Sequence, residues 1–369
     1  ADLKSYAEDS YPLDNPEKEA IYGAVAQSFS DGENFQIIEN DIIGMTSDIL
    51  EGHFKIFIGK KSDLKKIDTV MSKTGISVRK KYFTADTTAK AGLTEAEMEN
   101  GVALIDFGGG STSVTIYHGN IMRHYASIPF GGKNITDDIK SECQISEKLA
   151  ENIKMAFGAC MPDKLQSLSE KIIHIRSNST EPDKQLPVKY LSEIITARVE
   201  EIMTAILYEI QESGFADMLR SGIGVTGGSA QIPNLGSFIN ELSGFRVRTG
   251  YPRRFFSCQG CDGLGETTAA TSIGLILAAN EQAEPNCALP REEEAVEVEN
   301  TENSNPDGTL FSDTAMEGVE VSGTDTRENV KSKEKVKKTK KPTVTWGKKV
   351  SDFMGNIFDT VMNDMDSEN

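Results

Sequence analysis

Val102-Ala103-Leu104-Ile105-Asp106-Phe107-Gly108-Gly109-Gly110-Ser111-Thr112 stands near the middle of the chain and decides how the rest is read. Its first four residues are apolar, the composition of a buried strand. The strand delivers an aspartate and three consecutive glycines, the pattern of a phosphate-binding turn. Glycines let backbone N–H groups approach phosphate oxygens without a Cβ in the way, and the Asp106 carboxylate can hold Mg²⁺ or a water. The next residues, Ser113-Val114-Thr115-Ile116-Tyr117-His118-Gly119-Asn120, alternate like a strand and end in a turn. The unit is therefore strand–loop–strand, unlike the strand–loop–helix of Walker and Rossmann sites. On its own it is also compatible with a glycine-rich hairpin, the less favoured of the two readings.

Downstream, Ile128-Pro129-Phe130-Gly131-Gly132 leads into Lys133-Asn134-Ile135-Thr136-Asp137-Asp138, which reads as a helix start with Asn134 or Thr136 as cap. A Gly-Gly before a helix start is a second place for an anion. A helix over residues 146–157 ends at Gly158 and puts Glu151 and Lys154 on one face, which without context is an ordinary ion pair. Residues 163–188 read as extended and turn-rich, and a long helix covers 188–213. Then Gly222-Ile223-Gly224-Val225-Thr226-Gly227-Gly228-Ser229 repeats the theme of strand, glycine turn and helix start, with Ser229 near the cap. Residues 245–250 predict a short strand and 267–279 a last helix. The two glycine turns lie about 120 residues apart, each after an apolar strand. One turn for phosphate and one for adenosine is the arrangement of the actin-like ATPase superfamily.

Upstream, residues 1–84 read as a small α/β unit, with strands at 35–38, 53–59 and 76–79. A helix is expected over Lys61–Lys73, apolar at Leu64, Ile67, Val70 and Met71, and a short one over 90–97.

Charge is unevenly spread along a chain of net charge −18: residues 281–330 carry 14 acids and 2 bases, and residues 331–349 carry 9 lysines and 1 acid. The remainder is mildly acidic and shows no nucleic-acid footprint. Of the five cysteines, Cys258 and Cys261 form a CxxC without a second pair at zinc spacing, which points to reduced thiols. No signal-peptide pattern is read at the start, and no run approaches the roughly 18 apolar residues of a membrane span.

The acidic stretch, with few aromatics, is expected to be a disordered linker. After the lysine block, Trp346, Val350, Phe353, Met354, Ile357, Phe358, Val361, Met362 and Met365 recur at steps of three and four, opposite Lys349, Asp352, Asn356, Asp359 and Asn363. Such a face can pack on a protein. Beside Lys348, Lys349 and the lysine block it suits an anionic membrane surface, each near-surface lysine adding about 1 kcal/mol at most.

Taken together, these motifs resemble the FtsA family of bacterial cell-division proteins, actin-like membrane anchors of FtsZ. Residues 104–112 are similar to the family's second phosphate loop, and 128–139 to its "IPYGGxxxTxDI" segment. Ala150-Glu151-Asn152-Ile153-Lys154 matches its A-E-x-I-K, and 225–235 its adenosine motif, with Ser229 where a glycine or alanine is usual. The resemblance implies an α/β, two-lobed actin-like fold of the ribonuclease H-like class. It implies an ATP site with Mg²⁺ at Asp106, made of Asp106, Gly108, Gly109, Gly110, Ser111, Thr112, Gly131, Gly132, Asn134, Glu151, Lys154, Gly227, Gly228 and Ser229. Glu151 and Lys154 would contact the adenosine.

The implied organisation is a 1C-like subdomain (1–84), subdomain 2A (85–162 and 222–280), subdomain 2B (163–221), a linker (281–331) and a basic, membrane-targeting end (332–369). A first phosphate loop is implied upstream, expected to lie outside residues 1–369. Expected partners are the FtsZ C-terminal peptide at subdomain 2B with Arg198 as a contact, further copies of the chain, anionic lipids and later division proteins, at the cytoplasmic face of the inner membrane and the septum. ATP would be a structural ligand rather than a substrate turned over quickly. Other superfamily members set the alternatives. A sugar kinase or phosphatase has no use for a linker ending in a membrane helix, a DnaK-type chaperone would need strands in 281–345, and a pilus-assembly relative would lack the C-terminal helix.

Overall fold

A computed structural model describes residues 2–31, 48–175, 184–252 and 263–281. The chain opens with α1 (Asp2–Ser10) and an antiparallel ribbon of β1 (Glu19–Ser30) and β2 (Glu51–Lys60). β2 is the strand expected at 53–59. β1 was not legible, because Gly23, Ala24 and Ala26 dilute its apolar alternation, and its register slips at Ile21/Gly23 and again at Ala26/Ser28. The strand expected at 35–38 lies outside the described residues.

α2 (Lys61–Lys73) has the predicted bounds, and none of its residues is buried. Residues 76–79 are not a strand. They follow Gly75 at φ +73° and leave Ile76 and Val78 exposed, so the alternating pattern finds no ladder to join. Instead of one helix over 90–97 there are two, α3 (Thr84–Gly92) and α4 (Glu95–Asn100). The break is made by a capping box: Thr94 Oγ1 accepts from Glu97 N at 3.1 Å, and Glu97 Oε2 accepts from Thr94 N at 2.9 Å.

The central sheet comes next, with β3 (Val102–Phe107), β4 (Thr112–His118) and β5 (Ile121–Ile128) antiparallel in sequence. The chain then runs through α5 (Gly132–Cys143), α6 (Glu147–Phe157), the two-stranded β6 (Ile172–Ile175) and β7 (Lys184–Pro187), and α7 (Val188–Glu212). It returns as β8 (Ile223–Thr226), followed by a 3₁₀ turn over Gly228–Gln231, α8 (Leu235–Ser243) and β9 (Val247–Thr249). The last described elements are a 3₁₀ turn over Thr267–Ala269 and α9 (Ala270–Glu281), in place of the single helix predicted there. The strand order is β5-β4-β3-β8-β9, with β8 parallel to β3 and β9 parallel to β8.

β3 is apolar except for Asp106 because both its faces are covered. Ala103, Ile105 and Phe107 join one core with Val114, Ile116, Ile135 and the buried stripe of α7, from Leu191 through Ile195, Val199 and Ile202 to Ile206. Val102 and Leu104 point the other way, into a second core with Ala85, Ala89, Leu93 and Met122. On that second side α9 lies so close to α3 that a Cβ on Gly274 would sit 1.8 Å from the carbonyl oxygen of Thr87. The β1–β2 ribbon leans on β5 through Phe57, Phe83 and Tyr125, whose ring centroids are 4.8–6.1 Å apart. A Gln27 Nε2 to Met122 O hydrogen bond of 2.9 Å adds to this contact.

Candidate functional site

β3 and β8 run parallel with Asp106 opposite Thr226, so the two strands bring their glycine turns to one end of the sheet. Three loops meet there: 108–111, 131–132 and 227–229. The first closes on itself by Gly108 N donating to Ser111 O (3.0 Å) and is held to the second by Gly132 N to Gly108 O (2.9 Å) and Lys133 N to Gly109 O (2.7 Å). Ser229 Oγ donates to Gly108 O at 3.1 Å, tying in the third. Glycine is required where these loops touch. A Cβ at 131 would lie 2.6 Å from Gly109 O, and one at 132 would lie 2.4 Å from Ser229 Oγ. At 227, which has φ +90°, a Cβ would meet Phe107 O at 2.5 Å.

The helix start at Gly131-Gly132 is accordingly closed rather than open to an anion. Gly132 and Lys133 donate to the first loop, Asn134 N donates to Gly131 O, and Asn134 Oδ1 accepts from Gly131 N at 2.8 Å. Thr112 is likewise internal, its buried hydroxyl donating to Phe130 O at 2.7 Å. The open donors are elsewhere. Among the described residues the N–H groups of Gly109, Gly110 and Ser111 have no acceptor. A Cβ on Gly109 or Gly110 would meet nothing within 4 Å, and neither has a positive φ. Neither packing nor backbone conformation explains these two glycines, whereas close approach of a ligand to their backbone does.

Over this end lies a cleft of about 950 Å³. Of the residues proposed from sequence, Gly109, Gly132, Glu151, Lys154, Gly228 and Ser229 line it. Gly108, Gly131 and Gly227 lie behind them in the loop contacts. Lys154 is anchored by Nζ bonds to Gly132 O (2.9 Å), Thr136 Oγ1 (2.7 Å) and Glu151 Oε2 (2.8 Å), and Thr136 Oγ1 sits 2.5 Å from the same carboxylate oxygen. Burial pushes the Glu151 carboxyl up, but the Lys154 and Thr136 hydrogen bonds and the Lys154 charge outweigh it and hold the carboxyl below its ordinary value. Thr136, which the sequence suggests only as a cap, is thus the centre of this cluster. Met155, Ile232, Pro233 and Thr268 also line the cleft and were not legible. Met155 is 77% exposed, an apolar side chain on a polar helix face that a flat ring could cover.

Asp106 is the odd group. Its carboxylate has no hydrogen-bond partner among the described residues, and a Cβ on Gly227 would come within 2.6 Å of its Oδ1. Burial pushes its pKa up, and no basic group offsets that. A half-buried carboxylate without a cation suits Mg²⁺. Among the described residues no three metal-binding side chains cluster, so such an ion would take its other ligands from water and phosphate.

Arg198 lies on α7, away from the cleft lining. It forms a bidentate pair with Asp138 of α5 (2.5 and 2.8 Å) and a third bond to Glu201 (2.6 Å). Cys258 and Cys261, and the C-terminal set Trp346, Lys348, Lys349, Val350, Phe353, Met354, Ile357, Phe358 and Val361, lie outside the described residues. No described helix is long and apolar enough to cross a membrane.

The family model "Cell division protein FtsA" matches residues 103–274, which contain all three loops, Glu151 and Lys154. The chain is 29% identical over 280 residues to the cell division protein FtsA of Neisseria meningitidis, covering 76% of this chain and 66% of that one. It is 30% identical over 241 residues to FtsA of Borreliella burgdorferi, covering 64% and 57%. The chain thus spans 57–66% of the length of these curated relatives. Among solved structures, the PilM-PilN type IV pilus biogenesis complex superposes with a TM-score of 0.50 at 13% identity, covering 75% of this chain and 70% of that one. The glycine loops that close one end of the sheet therefore sit inside the segment that the FtsA model matches, and the chain is FtsA-like in sequence, with a fold that superposes on that pilus biogenesis complex.

Proposed function

We propose that the cleft binds ATP with Mg²⁺ beside Asp106, and that the protein uses this nucleotide to control self-association while it tethers FtsZ filaments to the membrane. The observation that carries the nucleotide reading is the trio of N–H groups at Gly109, Gly110 and Ser111 that find no acceptor among the described residues, two of them on glycines the fold itself does not need. Phosphate on that loop, the ribose near Glu151 and Lys154, and the base against Met155 and Ile232 make one consistent placement. Titration with a fluorescent ATP analogue tests it: Gly109→Ala should weaken binding about tenfold or more, since a Cβ there stands between the backbone donors and phosphate. Equal affinity would refute the placement.

The tether reading rests on the basic, Trp346-containing amphipathic pattern at the end of the chain. In co-sedimentation with phosphatidylglycerol vesicles, deletion of 332–369 should abolish lipid binding. Retention of full binding would sink that part. Docking of the FtsZ C-terminal peptide at Arg198 would require Arg198 to exchange Asp138 and Glu201 for the peptide's carboxylates. Arg198→Ala and Asp138→Asn both break that pair, but only the first should lose the peptide.

A further inference from the structure

Lys133 lies in the cleft lining although no sequence motif singles it out. The charged side chains of that lining are Lys133, Glu147, Lys148, Glu151 and Lys154. Lys154 is engaged inside the protein, since its Nζ reaches Gly132 O, Thr136 Oγ1 and Glu151 Oε2. Lys133 is exposed, and its ammonium has no hydrogen-bond or ion-pair partner among the described residues. Its backbone, by contrast, is fixed. Lys133 N donates to Gly109 O at 2.7 Å, and Gly132 N beside it donates to Gly108 O at 2.9 Å. The side chain therefore starts at the loop whose Gly109, Gly110 and Ser111 N–H groups find no acceptor among the described residues. An ammonium on a flexible stem with a pinned root gives up no contact when it turns to an anion on that loop.

The charge balance identifies the anion. Residues 1–281 carry 28 basic and 38 acidic residues, so the field around the cleft does not favour a polyanion. Within the cleft the Lys154 charge is matched by Glu151 at 2.8 Å, and Lys148 stands next to Glu147 in the chain. Backbone N–H groups hold phosphate oxygens but carry only partial charges, which leaves most of the charge of a di- or triphosphate unbalanced. A lysine ammonium is the point charge that phosphate sites use for that purpose. We infer that Lys133 turns its ammonium onto the outer phosphates of a bound nucleoside di- or triphosphate and makes the cleft select these over a nucleoside monophosphate. The role rests on the cleft being a nucleotide site, and it adds a side-chain cation to a loop that otherwise offers only backbone donors.

Equilibrium titration of the full chain with ATP, ADP or AMP, each with Mg²⁺, tests it. Lys133→Gln should weaken ATP and ADP binding about fivefold or more and leave AMP within about twofold of wild type. Lys133→Arg keeps the charge and should bring ATP back to within about threefold. Between about 0.05 and 0.5 M NaCl, ATP affinity should fall less steeply in Lys133→Gln than in wild type. The melting temperature should stay where it is, because the ammonium has no partner among the described residues to lose. Lys148→Gln removes the same charge from the same cleft without a backbone tie to the loop, and its ratio of ATP to AMP affinity should remain that of wild type. ATP binding by Lys133→Gln equal to wild type would overturn the role, as would ATP and AMP weakening together. An equal fall of the ratio in Lys148→Gln would make the effect one of overall charge and overturn it too. Wild-type protein that binds all three nucleotides alike would refute Lys133 while leaving the cleft a nucleotide site. Wild-type protein that binds none of them would overturn the nucleotide site itself, and the role of Lys133 with it.

Discussion

At the scale of single residues, the glycines of the site divide into those the fold needs and those it does not. Gly132→Ala forces a Cβ to within 2.4 Å of Ser229 Oγ, and Gly131→Ala to within 2.6 Å of a backbone oxygen. Each should cost about 1–3 kcal/mol in thermal unfolding. Gly109→Ala, with open space ahead of it, should leave the melting temperature unchanged while it weakens nucleotide binding. Adding Ser229→Ala should recover part of the Gly132→Ala loss, because the next atom is 3.7 Å away. Gly131→Ala meets carbonyls of the first loop and should gain nothing from that second change. Asp106→Asn should separate stability from binding. The raised carboxyl favours its protonated form in the fold, so at neutral pH the charge destabilises the protein, and the amide should melt higher while Mg²⁺-dependent nucleotide affinity falls. The loops were legible in the sequence as glycine turns after apolar strands, whereas spacing left Glu151 and Lys154 an ordinary ion pair and only the family resemblance singled them out. The distinction among the glycines was not, since it depends on which loop touches which across more than a hundred residues.

Individual elements were legible where a periodic pattern met its own boundary signals. α2 has the bounds its apolar spacing gives, and α6 runs from the Ser146 cap, whose Oγ accepts from Leu149 N, to Gly158. Where a cap sits inside an apparently helical run the pattern misleads. Thr94-Glu95-Ala96-Glu97 carries the capping-box signature that splits α3 from α4, and the box outranks periodicity there. The strand pattern at 76–79 failed for the opposite reason, having the alternation but no neighbour to pair with. The packing of α9 on α3 yields a test of its own. Ala is favoured over Gly inside a helix by about 1 kcal/mol, which would make Gly274→Ala stabilising by propensity. The Thr87 carbonyl 1.8 Å from the new Cβ decides the sign. A net loss of about 2 kcal/mol or more is expected by denaturant titration, with the Thr88 Oγ1–Thr271 Oγ1 bond of 2.8 Å lost as the helices separate.

For the molecule as a whole, two carboxylates tie distant parts of the chain together. Glu151 joins α6 to α5, and Glu97 joins α4 to β9 through a bidentate pair with Arg248 at 2.5 and 2.6 Å. For Glu97 too, burial raises the carboxyl while the Arg248 and Thr94 hydrogen bonds pull it down further. Both acids are therefore held below the ordinary 4.5 in the fold. Their stabilisation is complete above 4.5 and is lost as pH falls through their lower folded values. An acid melt series should show stability dropping in that range, and Glu97→Gln should shrink the drop. Where the loops meet, the amides of Gly132 and Lys133 are closed onto the carbonyls of Gly108 and Gly109 at 2.9 and 2.7 Å. In hydrogen–deuterium exchange these two amides should retain their protons about as long as the neighbouring β3–β4 ladder does, while Gly109, Gly110 and Ser111 in the same cluster of loops label at once.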